Sequence, residues 1–179
     1  MSQKIILIII NVVFGSMVLL SYYHGVGKMK SLGKDPSLLW GGVPDTIQPF
    51  IVTFMFLGAI GYAFFTYNFL FNVNPDKVLF LNKFKYWTLY ILYLLVFIPS
   101  ALWIYQTMNY MDSGTQIDWI ITVALLFTVA ISSIFLLLFT IDLQIENKYM
   151  YLASVIGALL FTFHTLFLDG LIWTVFYHK

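Results

Sequence analysis

The chain has 179 residues, of which 61% are hydrophobic and only 9% charged, and its mean hydropathy is +0.89. Soluble domains carry roughly 25% charged residues, so the composition excludes an ordinary water-soluble enzyme and a disordered tail alike. Net charge is +1 and all nine basic residues are lysine, so no arginine fork exists to read phosphates and no nucleic-acid partner is expected. The absence of cysteine removes disulfides, thiolate nucleophiles and Cys-ligated zinc or iron–sulfur clusters.

Charges leave uncharged runs at 5–27, 46–75, 86–111, 119–141 and 149–168. Each can cross a bilayer, since roughly 20 helical residues span the hydrocarbon and must close their own backbone hydrogen bonds there. The prediction is an all-α integral membrane protein, a compact five-transmembrane-helix bundle in one domain over 1–179. Its spans fall at approximately 5–23, 49–72, 86–106, 119–141 and 150–177, with the lipid bilayer as partner. The run Ile5–Ile10 contradicts the alternation that a membrane β-barrel needs.

The first span begins after Lys4 and also fits a secretory signal with a cleavage site near Val13-Phe14-Gly15. Asn11 and the terminal Tyr22-Tyr23 pair favour a retained anchor with an aromatic belt. Gly15 and Asn11 read as a helix-packing surface. The loop His24–Gln48 follows. Within it Asp35 suits an N-cap, Pro36 the first helical position and Gly41 the end, which predicts a short interfacial helix. Leu38, Leu39 and Trp40 would meet the headgroup boundary or cover the mouth of the bundle. A phosphate-binding loop is excluded: Gly27 and Gly33 are separated by five residues, and Asp35 stands where a hydroxyl is required.

In the second span Gly58, Gly61, Ala59 and Ala63 read as surfaces for close helix approach, as do Ala124, Thr128 and Ser132 in the fourth. The third carries Tyr86, Tyr90, Tyr93 and Phe97 on one stripe, continuing to Ser100. Tyrosine hydroxyls away from headgroups need partners, so Tyr90 and Tyr93 are expected to look inward or to form a pocket wall. Pro99 removes a backbone donor and predicts a kink beside that stripe.

The fifth span holds the most informative residue, Asp169, because an ionisable group inside a membrane segment is costly unless it faces a partner or a water-filled space. Ser154, Ala158, Thr162, Thr165, Asp169 and Trp173 share one helical stripe. His164 lies five positions before Asp169, about 140° away at 100° per residue, so the two are not expected to pair. A hydrogen bond from His164 to a tyrosine or serine of a neighbouring helix is expected instead. His24 and His178 end spans on one predicted side, a weak basis for a bis-histidine site. No catalytic motif, metal set or cofactor signature is present.

Five spans put the N-terminus and the loops near 73–85 and 142–149 on one side, with the segment 24–48, the loop 107–118 and the C-terminus on the other. Five lysines (Lys4, Lys77, Lys83, Lys85, Lys148) then oppose four (Lys28, Lys30, Lys34, Lys179), a slight bias toward a cytoplasmic N-terminus. The expected function is binding or transport of a small, largely apolar ligand in an intramembrane cavity. Asp169, Thr165, Thr162, His164, Trp173, Tyr90 and Tyr93 would line it, with Trp40 near the mouth. The alternatives are a non-catalytic subunit assembled as a homo- or hetero-oligomer through its small-residue faces, and an ion or proton pathway. The latter needs a second ionisable group facing Asp169. Five spans, a long first loop with tryptophan and proline, and abundant aromatics are similar to the tryptophan-rich sensory and translocator proteins. That resemblance implies tetrapyrrole or sterol ligands, although the paired Trp-Pro segments of that family's first loop are missing and no site residue transfers.

Overall fold

The structure is a computed structural model that describes residues 2–143 and 145–178; Lys179 of the lysine comparison lies outside them. Five helices are long and apolar enough to cross a membrane: α1 (Gln3–Ser31), α2 (Gln48–Phe71), α3 (Thr88–Ser113), α4 (Gln116–Asp142) and α5 (Lys148–Thr162 with its continuation to Phe176). No strand occurs among the described residues; Phe80 and Phe84 form one isolated bridge. The helices α2 and α5 pack along their lengths, as do α3 and α4, while α1 lies on α3 and only brushes α2.

Polar side chains cap and stitch these helices as local chemistry dictates. Thr115 and Asn147 cap α4 and α5 by accepting from backbone N–H groups of the first turn. Gly114, at φ +61°, ends α3 in the left-handed conformation that glycine adopts without strain. The tyrosine stripe of α3 faces the core as expected. Tyr86 donates to the Phe69 carbonyl at 2.8 Å, Tyr90 to the Gln3 carbonyl at 2.8 Å, and Tyr93 shares a 2.6 Å hydrogen bond with Thr66. The helix continues through Pro99, with the Ser100 hydroxyl donating to the Val96 carbonyl.

Three expectations are corrected. The first helix does not stop near residue 23 but runs to Ser31, so the connection that follows starts at Leu32 rather than His24. Gly25 and Gly27 keep helical backbone, and Lys28 and Lys30 lie in the last turn, where cations favour the helix dipole. Ala59 and Ala63 point outward rather than into a helix contact. The close approach belongs to Gly61 on α2 and Gly157 on α5, whose backbones touch: a Cβ on Gly61 would lie 2.7 Å from the Gly157 Cα. The small-residue stripe of α4 is split, with Ser132 buried but Ala124 exposed.

The predicted short helix is a 3-10 turn, Pro36–Trp40, with Asp35 accepting from the Ser37 N–H at 2.9 Å and Pro36 opening it. That hydrogen bond holds the Asp35 carboxyl below its ordinary value. The turn docks on the end of α5: Trp173 Nε1 donates to the Leu39 carbonyl at 2.9 Å and the Gly42 N–H to the Tyr177 carbonyl at 3.0 Å. Trp40 packs there with Trp173 and Tyr177, so it covers this end of the bundle. An ion pair between Lys34 and Asp112 ties the same connection to the end of α3.

Candidate functional site

The site follows from one local departure. From Phe163 to Trp173 the fifth helix is a π-helix of 11 residues. Such i→i+5 geometry is rare, occurs mostly as single turns and is found frequently at functional sites. One i→i+5 step carries His164 onto Asp169, and Nε2 lies 3.3 Å from Oδ2. The expectation that the two cannot pair is therefore corrected. It assumed 100° per residue, and the backbone here is wound differently. The neighbouring tyrosine or serine expected as the partner of His164 is replaced by this carboxylate.

The wider winding also moves Asp169 off its stripe. Ser154, Ala158, Thr162, Thr165 and Trp173 are all buried, with Leu168 and Gly170 taking the interior positions beside them. The Asp169 side chain keeps 34% exposure. Tyr22 on α1 is 41% exposed. Its ring stacks on Trp103 at 6.0 Å, and Trp103 meets Trp173 edge-on at 5.3 Å. The site thus has an acid and an imidazole on α5, with Trp173 of the same helix joined to aromatic rings of α3 and α1.

The other proposed lining residues have partners inside the fold. Thr162 donates to the Ser133 carbonyl at 3.0 Å and Thr165 to the Ser133 hydroxyl at 2.8 Å, which joins α5 to α4. Trp173, Tyr90 and Tyr93 are engaged as described above, and Trp40 belongs to the cap. His24 and His178 bind separate tyrosines, Tyr105 at 3.0 Å and Tyr110 at 3.3 Å. The described residues hold no group of three or more His, Asp or Glu able to bind a metal ion.

Two open grooves lie elsewhere, and neither includes Asp169. One, of about 840 Å³, runs along the end of α1 from Tyr22 to Ser31; the other, of about 780 Å³, lies between the connections 72–82 and 142–147. The α5 site has unmet hydrogen-bonding capacity, as do the buried hydroxyls of Thr88 and Thr174. His164 Nδ1 is buried without a partner, as is Trp103 Nε1, and in a structure where buried polar atoms are normally paired such atoms call for an explanation. Asn68 shows the usual outcome: it donates to Ser154 and to the Met150 carbonyl, and its own oxygen accepts from Asn72. Sequence reasoning did not single out this cluster or the bond from Tyr62 to Asn11, although asparagines inside apolar runs were its visible signal.

No family model, no curated protein and no solved structure matches this chain. The similarity to the tryptophan-rich sensory and translocator proteins thus stays at the number of spans and the aromatic content.

Proposed function

We propose that the protein is a multi-pass integral membrane protein that binds or carries a small, largely apolar ligand, whose polar head meets Asp169 and His164. The reading rests on one observation: a carboxylate and a histidine held 3.3 Å apart, the acid partly exposed and the imidazole retaining an unpartnered nitrogen, within otherwise apolar helices. Ligand sites are built this way, with a few convergent polar groups in an apolar wall. Outward faces rich in Leu, Ile and Phe support insertion in a bilayer. The lysine distribution supports an N-terminus on the cytoplasmic side.

Titration of the protein in phosphatidylcholine nanodiscs with a panel of apolar ligands, followed by tryptophan emission, tests the proposal. A saturable change that weakens at least tenfold in Asp169→Asn is expected; no saturation by any member of a broad panel would reject it. The second ionisable group required by a proton-pathway reading is now present in His164, so that reading stands second. It predicts that proteoliposomes take up protons down a gradient and that Asp169→Asn abolishes the uptake. Outward Ala59, Ala63 and Ala124 are the surfaces an oligomeric assembly would use.

A further inference from the structure

The chemistry left unsatisfied at the α5 site specifies the head of its ligand. The carboxylate draws the imidazole proton to Nε2, because the tautomer is set by the hydrogen bond the ring makes. Nδ1 then presents a lone pair, buried and without a donor. A second acceptor comes from the remaining oxygen of Asp169. Among the described residues, no lysine approaches this carboxylate within ion-pair distance; the ion pairs there are Lys34 with Asp112 and His164 with Asp169. The site therefore offers hydrogen-bond acceptors, one of them an acid, with no lysine among the described residues to meet it.

Its aromatic surroundings favour the same complement. Trp173 lies one turn along α5 from Asp169 and meets Trp103 edge-on at 5.3 Å, and Tyr22 stacks on Trp103 at 6.0 Å. Aromatic faces attract cations, and the attraction grows when water is excluded. An ionised carboxylate inside a bilayer is costly when alone and far less so when a bound cation neutralises it. An anionic head would meet repulsion from the carboxylate, and a hydroxyl head could satisfy one acceptor without touching the charge.

Resting on the site reading above, we infer that the ligand class is a lipophilic amine: a protonated amine head seated on the exposed part of the Asp169 carboxylate beside His164, with its hydrocarbon portion along the apolar helix faces. The test titrates three length-matched probes, N,N-dimethyldodecylamine, dodecanol and dodecanoate, into the unmodified protein in phosphatidylcholine nanodiscs, with empty nanodiscs as background and tryptophan emission as readout. The amine is expected to saturate at a concentration at least tenfold below the alcohol, and the carboxylate not to compete with it. In Asp169→Asn, checked for helix content and monodispersity, the amine should fall to the level of the alcohol. Equal binding of alcohol and amine, or tight binding of the carboxylate, overturns the amine assignment while leaving a ligand site in place. Failure of every probe in this set and in the broader panel overturns both. The ranking on unmodified protein holds whether or not the variant folds.

Discussion

Before and after Phe163, the fifth helix meets its neighbours in two different ways. From Lys148 to Thr162 it is α-helical, touches α2 backbone to backbone at Gly157 and Gly61, and matches its polar groups to partners, Ser154 with Asn68 and Thr162 with Ser133. From Phe163 to Trp173 it is π-helical, exposes part of an acid and leaves an imidazole nitrogen without a partner. The first half shows what the chain does when stability alone is served. The second departs from that solution in winding and in hydrogen bonding together, and sites that carry function are where such departures collect.

The contrast can be broken at its strongest point first. Gly61→Ala places a methyl group against the Gly157 backbone, which cannot yield as a side-chain end would; overpacking of this kind costs about 1–3 kcal/mol. A clear fall in thermal midpoint in detergent is expected, whereas Gly27→Ala, with open space around it, should leave the midpoint unchanged or higher. An equal response at both positions would remove the glycine crossing from the account. A second comparison sets Asn68→Ala against Asp169→Leu. Removing Asn68 leaves Ser154 and Asn72 short of partners and costs about 1–3 kcal/mol. Replacing Asp169 by an apolar residue removes a partly exposed acid but also the partner of His164 Nε2, so a smaller fall in midpoint than in Asn68→Ala is expected while ligand response disappears. A large loss of stability in Asp169→Leu would recast the acid as structural.

The smallest effect concerns the cap. Ser37 holds the Asp35 carboxyl below its ordinary value. A group lowered on folding contributes above its unfolded value and loses that contribution as pH falls through the folded one. Acidification below the usual carboxylate range should loosen the 3-10 turn and shift Trp40 emission; in Asp35→Ala the shift should be absent. Persistence of the shift in that variant would assign it to another group.

Span positions were legible because charges in an apolar chain are costly wherever they cross, which placed α2, α4 and α5 within about three residues, whereas α3 runs on to Ser113, past its expected end near 106 and through most of the expected loop 107–118. The end of α1 was not, since a helix can outrun its apolar stretch once its backbone is already paired and its last lysines suit the dipole. Asp169 stood out from cost alone. Its pairing with His164 did not, because no residue pattern distinguishes 11 residues of π-helix from α-helix, and every angular argument inherits the assumed winding. The same ambiguity hid Gly157: glycine marks a close approach only once its counterpart across the interface is known.

The pairing itself can be measured directly, because the chain contains no cysteine. In the double variant His164→Cys/Asp169→Cys, a disulfide requires Cα atoms within about 7 Å. An α-helix separates positions i and i+5 by about 7.5 Å along its axis alone, while an i→i+5 winding brings them together. Oxidation should therefore close an intramolecular bridge, seen as loss of both alkylation sites by mass. Two freely alkylated cysteines after oxidation would show that the segment is wound as an ordinary α-helix and that the acid and the imidazole do not meet.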